Sequence, residues 1–156
     1  VKYGSSDKWT KQLGTSSYDN ASGVATDSSG NVYVTGYTEG ALDGTNAGGS
    51  DLFLVKYNSS GTKQWTKQLG TSSNDIANGV ATDSSGNVYV TGSTSGGLDG
   101  TNAGSGYTSG SATYDLFVVK YNSSGTKQWT KQLGTSSSDY AKGVATDSSG
   151  NVYVTG

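Results

Sequence analysis

The fold class this sequence predicts is all-β: a β-propeller of four-stranded antiparallel blades. Three observations predict it. A 28-residue block at 9–36 recurs at 65–92 and 129–156. With its linkers the full unit is about 50 to 60 residues, the length of a propeller blade and too long for the common helical repeats. Each unit also carries four short runs rich in Val, Tyr, Thr or Trp, separated by turn chemistry, and helical apolar spacing is absent.

The strands are named A to D. Strand A is GVATD (79–83), with Val and Ala set among polar residues. Strand B is NVYVTGS (87–93), where Val alternates with Tyr and Thr. DSSGN joins A to B at 27–31, 83–87 and 147–151, placing an Asx residue first and Gly where a positive φ is needed. Strand C is DLFLVKYN (51–58), and strand D is TKQWTKQL (62–69). NSSGT at 58–62 and 122–126 joins C to D by the same logic. The first copy differs, because YGSSDKW is two residues shorter than YNSSGTKQW and implies a tighter hairpin.

In this alphabet the chain reads C–D, A–B–C–D, A–B–C–D, A–B. The divisions are a half blade at 1–14, a blade at 15–70, a blade with an insertion (105–114) at 71–134, and a half blade at 135–156. The twelve predicted strands make three blades' worth, circularly offset. Propellers use roughly four to eight blades, and a three-blade ring would need wedges of about 120°. The expectation is therefore that the chain partners itself. The terminal A–B of one copy completes the initial C–D of another, giving a six-bladed dimeric ring. The alternative is an excerpt of a longer propeller, and a chain starting at Val1 reads as an excerpt, a processed product or a built sequence.

Composition narrows function by exclusion. Of 156 residues, 71 are Gly, Ser or Thr, and only 24 are Val, Leu, Ile or Phe. Such a count suggests disorder, but a net charge of −2 with 11 Tyr and 3 Trp argues for packing. Cys and His are both absent, which removes thiol chemistry, disulfides and the commonest general base. Ten basic against twelve acidic residues gives no footprint for nucleic acid, and no apolar run predicts membrane insertion. No enzyme is expected, and no cofactor. The candidate for metal is Ca²⁺ at 42–51 and 98–106, where Asp, Asn and carbonyl-rich turns cluster, although ordinary loop chemistry explains the same residues.

GVATDSSGNVYVTG together with DLFLVKYNSSGTKQW resembles the bacterial beta-propeller repeat called SBBP. The resemblance covers nearly the whole chain outside the insertion. It implies a propeller, typical of extracellular or cell-surface proteins, without shared catalytic residues. The near-identity of the units implies recent duplication or deliberate construction.

The copies differ at few positions. Inside the block these are Tyr18/Asn74/Ser138, Asn20/Ile76/Tyr140 and Ser22/Asn78/Lys142. Beyond it, Tyr37/Ser93, Glu39/Ser95 and Ala41/Gly97 differ, again two residues apart. With strand A starting at 79, the first set falls in the D–A connection and the second at the end of B and in the B–C connection. Both connections share one rim of an antiparallel meander. The candidate binding residues for a glycan or protein ligand are Tyr18, Asn20, Ser22, Tyr37, Glu39, Asn74, Ile76, Asn78, Ser138, Tyr140 and Lys142. Loops on a rigid frame carry binding residues, and Tyr, Ser and Asn suit adaptable contact surfaces. Drift in tolerant loops after duplication gives the same pattern. Trp9, Trp65 and Trp129 are expected to pack between blades, with a carbohydrate platform as the sharper alternative. The Lys residues of VKY and WTKQ are expected to face solvent.

Overall fold

The computed structural model describes residues 8–104 and 112–156. Residues 3–7 of the short YGSSDKW hairpin and most of the insertion at 105–114 lie outside them. The described residues form strands and no helices. Blade 1 is β1 (Asp19–Thr26), β2 (Val32–Thr38), β3 (Asp51–Tyr57) and β4 (Lys63–Leu69). Blade 2 is β5 (Asp75–Thr82), β6 (Val88–Thr94), β7 (Asp115–Tyr121) and β8 (Lys127–Leu133). A third unit holds β9 (Gly143–Thr146) and β10 (Val152–Thr155). Each blade is an antiparallel meander in chain order, and the third unit is a two-stranded hairpin.

The turns form as their sequence dictates. Asp27 O accepts from Gly30 N at 3.0 Å, while its carboxylate accepts from Ser29 N and Asn31 N. The carboxylate also takes the Tyr33 hydroxyl at 3.0 Å, so the turn anchors the strand that leaves it. Asp83 and Asp147 repeat the arrangement with Tyr89 and Tyr153.

Inner strands pack on one another in sequence, β1 against β5 and β5 against β9. Between blades 1 and 2 lies the main core. Tyr33, Leu52 and Leu54 from blade 1 meet Val88, Val90, Phe117 and Val119 from blade 2. A smaller cluster joins Phe53, Val55 and Tyr57 to Trp9 and Leu13 from the N-terminal segment. Thr35 and Thr91 complete the packing by donating to the carbonyls of Phe53 and Phe117 at 2.6 Å.

Two expectations need correction. In blades 1 and 2 strand A begins four residues earlier than the sequence indicated, at Asp75 rather than 79 in blade 2, whereas in the third unit it begins at Gly143, the counterpart of 79. A β-bulge between Ala77 and Gly79 absorbs one residue, Asn78, so pairing with β6 continues through the irregular sequence. Blade 1 has the same bulge at Ser22. Asn20, Ser22, Ile76 and Asn78 are therefore strand residues, not connection residues. The two VKY lysines among the described residues are not simply solvated. Lys56 and Lys120 lie 5.3 Å from the ring centroids of Tyr33 and Tyr89, where the ring faces attract the ammonium groups.

Candidate functional site: a variable rim and an open blade face

The variable residues come together in small matched groups. On blade 1, Asn20 stands opposite Tyr37 in the β1–β2 ladder. Tyr18 lies beside Tyr37, with ring centroids 5.9 Å apart, and its carbonyl accepts from Glu39 N at 2.8 Å. Tyr18 remains 55% exposed. Burial, then the Tyr18 hydroxyl and the Glu39 charge, push the Tyr37 hydroxyl above its ordinary pKa.

On blade 2 the equivalent group is polar. Asn74 N donates to Ser95 Oγ at 3.1 Å, and Asn74 Oδ1 accepts from Ser50 N at 3.1 Å. Ile76 stands opposite Ser93. Where position 18 is Tyr its neighbour at 37 is Tyr, and where position 74 is Asn its neighbours are Ser50, Ser95 and the hydroxyl of Tyr114, to which Asn74 Nδ2 donates at 3.4 Å.

The third unit is aromatic again. Tyr140 stacks on Tyr114 at 5.4 Å and 30°, and Lys142 Nζ lies 5.2 Å from the Tyr140 centroid. Ser138 Oγ accepts from Tyr114 N at 3.4 Å. Sequence comparison of the blocks missed Tyr114, because it sits at the end of the insertion and outside the repeated block. The signal was available: Tyr114 replaces Ser50 in the residue before strand C.

The loop raised as a Ca²⁺ candidate is internally hydrogen-bonded. Asp51 Oδ2 accepts from Ala47 N at 2.9 Å and from Gln68 Nε2 at 2.8 Å, and Asn46 Oδ1 accepts from Gly48 N. Asp51 Oδ2 and Asn46 Oδ1 are thus acceptors for N–H groups of the loop, while Asp51 Oδ1 is buried without a hydrogen-bond partner among the described residues. Among the described residues no cluster of three or more His, Cys, Asp or Glu is arranged to hold a metal.

A second feature was not visible in the sequence. The face of blade 1 turned away from blade 2 carries a groove of about 680 Å³, lined by Trp9, Leu13, Val24, Val34, Phe53 and Val55. Blade 2 has the same residue types on its equivalent face, and there blade 1 covers them. Val24 is 67% exposed and its counterpart Val80 only 9%. The outer part of the groove is already covered by Trp9, whose indole sits 5.8 Å from the Tyr57 ring and donates to Ser59 O. The inner part, beside β1 and β2, is open. At the far end of the chain, β10 pairs only with β9 among the described strands. Tyr153 there is 58% exposed, whereas Tyr33 and Tyr89 are 0% and 2%.

The comparisons with known proteins agree with this geometry. A family model described as beta-propeller repeat matches residues 8–42, 64–99 and 128–156. An uncharacterized WD repeat-containing protein, L264, of Acanthamoeba polyphaga mimivirus is 27% identical over 186 aligned residues. That match covers 95% of this chain and 13% of the viral protein. The regulatory protein FlaEY of Caulobacter vibrioides is 35% identical over 139 residues, covering 84% of this chain and 15% of that protein. The chain thus spans about one seventh of the length of these curated relatives. Repeated hairpins, stacked four-stranded blades and three matched stretches agree, and this chain belongs to the beta-propeller repeat family.

Proposed function

We propose that the chain is a noncatalytic propeller scaffold that closes its ring with a second copy of itself, presenting a variable rim for binding. The observation that carries this reading is the contrast between Val24 and Val80, identical in sequence position but opposite in exposure. The β9–β10 hairpin has the sequence of β1–β2, which covers the equivalent face of blade 2. Placed in the groove of a second copy, Ala145 and Tyr153 would meet Val24, Val32 and Val34 as Ala25 and Tyr33 meet Val80, Val88 and Val90. Such a contact is head-to-tail, and two copies close it into six complete blades with only the short edges that propellers keep.

Light scattering over a dilution series tests this. The expected result is twice the mass of one chain, with Val24→Asp giving a folded monomer because that side chain is exposed in the single chain. A stable, cooperatively folded monomer at every concentration overturns the reading.

The matched rim groups favour a second reading, in which the rim recognises a glycan or protein. Tyr18 with Tyr37, and Tyr114 with Tyr140, present aromatic surface beside polar groups. Glycan-array or pull-down binding that disappears when Tyr18, Asn20, Ile76, Tyr140 and Lys142 are changed to Ser supports it. Unaltered behaviour removes it.

A further inference from the structure

The inner strands of neighbouring units are tied by two kinds of bond. One is the same at each step. Thr82 Oγ1 donates to Thr26 O at 2.9 Å, and Thr146 Oγ1 donates to Thr82 O at 2.9 Å. The other comes from the bulged residue of the inner strand and differs between copies. Asn78 Nδ2 donates to Ala141 O at 2.8 Å, crossing from blade 2 to the third unit. Ser22 occupies the same place on blade 1, and among the described residues it makes no such bond to blade 2. Lys142 occupies the same place on the third unit, where its ammonium lies over its own neighbour Tyr140.

We infer that Lys142 fixes the junction between two copies, its ammonium donating to the carbonyl oxygen of the partner's Ala21. The inference rests on the ring-closure reading above and names the residue that sets it. Ala21 is the counterpart of Ala77 and Ala141. Ala77 and Ala141 are fully buried, whereas Ala21 is exposed at the open groove. The residue that carries the equivalent carbonyl is therefore uncovered on blade 1.

Ser22 and Asn78 are bulged residues without a ladder partner and Lys142 lies just before β9, so the side chain here can change between copies without disturbing the sheet. The three residues at this place differ in reach: a hydroxyl that spans nothing, an amide that spans to the next strand, and a four-carbon stem with a charged end. The charged, longest one stands at the strand whose neighbour is a second copy. Each copy carries a net charge of −2, so a cation at the junction also offsets repulsion between them.

The test is the dimer dissociation constant of the full chain, measured by sedimentation equilibrium for four proteins. Lys142→Ala should weaken the dimer about tenfold, the order expected when two partly solvated charge-assisted hydrogen bonds are lost. Lys142→Asn, which copies Asn78, should stay near the parent value. Lys63→Ala, which removes an exposed lysine on β4 of blade 1, should change nothing. An intact dimer with unchanged affinity in Lys142→Ala overturns this inference and leaves ring closure standing. Equal weakening in Lys142→Asn and Lys142→Ala also overturns it, because the bond copied from Asn78 would then not form. A parent chain that stays monomeric overturns ring closure, and this inference with it.

Discussion

Asp19 and Asp75 open the inner strands of successive blades and accept the same hydrogen bonds, yet their carboxyls are shifted in opposite directions. Asp19 accepts from Thr15 N, Thr15 Oγ1 and Thr38 Oγ1. Asp75 accepts from Thr71 N, Thr71 Oγ1 and Thr94 Oγ1. Burial works against ionisation at both. At Asp19, which lines the open groove, the hydrogen bonds prevail and hold the carboxyl below 3.8. At Asp75, enclosed between blades, burial prevails over the same bonds, aided by the charge of Asp51, and the pKa rises.

The sign of each contribution to stability follows from these shifts. Asp19 binds its proton more weakly folded than unfolded. Its contribution is present above 3.8 and is lost as pH falls through the folded value. Asp75 binds its proton more tightly when folded. Its contribution is fully present below 3.8 and is lost as pH rises through the folded value. Carboxyl carbon shifts followed by NMR during acid titration should place Asp75 above 3.8 and Asp19 below it. The reverse order would mean that enclosure by the neighbouring blade does not separate them.

Buried threonines divide into two kinds, and the division predicts opposite outcomes for one substitution. Thr91 is fully buried and its hydroxyl is committed to Phe117 O. Thr91→Val should cost about 1 kcal/mol, the net worth of one such bond. Thr130 is buried in β8 with no hydrogen-bond partner for its hydroxyl. Thr130→Val should be neutral or stabilising by up to about 1 kcal/mol, because a desolvated, unpaired group is removed. Urea midpoints that fall for Thr130→Val as far as for Thr91→Val would show that the Thr130 hydroxyl is satisfied in solution.

Two turn glycines separate backbone strain from crowding. Gly61 and Gly150 have φ of +78° and +82°. A Cβ on Gly150 would meet nothing within 4 Å, so Gly150→Ala should cost about 1 kcal/mol from the left-handed backbone alone. A Cβ on Gly61 would come within 2.7 Å of the Trp9 ring. Gly61→Ala should therefore cost roughly 1 to 3 kcal/mol more, the usual range for overpacking. Denaturation followed by Trp fluorescence reads both, and Gly61→Ala should also perturb the Trp9 signal. Equal costs would show that the indole moves aside freely.

The meander was legible because its turns are chemically explicit. An Asx residue and a Gly at fixed offsets specify the hairpin, and alternating Val and Tyr specify the strand. The start of strand A was not legible, because DIANGVAT has no clean alternation and the bulge at Asn78 resets its phase. The rim groups were half legible. Variation every second residue located Tyr18 and Tyr140, but their ring partners depend on which connections share a rim and how closely they approach. The open groove was not legible at all. Val24 and Val80 sit in identical local sequence, and only the presence of a neighbouring blade distinguishes them. Local patterns encode the blade, whereas exposure of its faces depends on what is stacked beside it.

That dependence gives a last prediction, from a bond present in every copy. The Tyr89 hydroxyl donates to Asp83 Oδ2 and the Tyr153 hydroxyl to Asp147 Oδ2, both at 3.0 Å. Tyr89 is buried against its neighbours, and Tyr153 faces open space. A hydrogen bond shielded from water contributes more than one for which water competes. Tyr89→Phe should therefore lower stability by about 1 kcal/mol. Tyr153→Phe should leave the stability of the dilute single chain unchanged. If a second copy covers β10, Tyr153→Phe acquires a cost at high protein concentration, because its site then matches that of Tyr89. Denaturation midpoints for both variants at low and high concentration separate the effects. A cost for Tyr153→Phe in the dilute chain equal to that of Tyr89→Phe would show that stacking between blades does not set the strength of this bond.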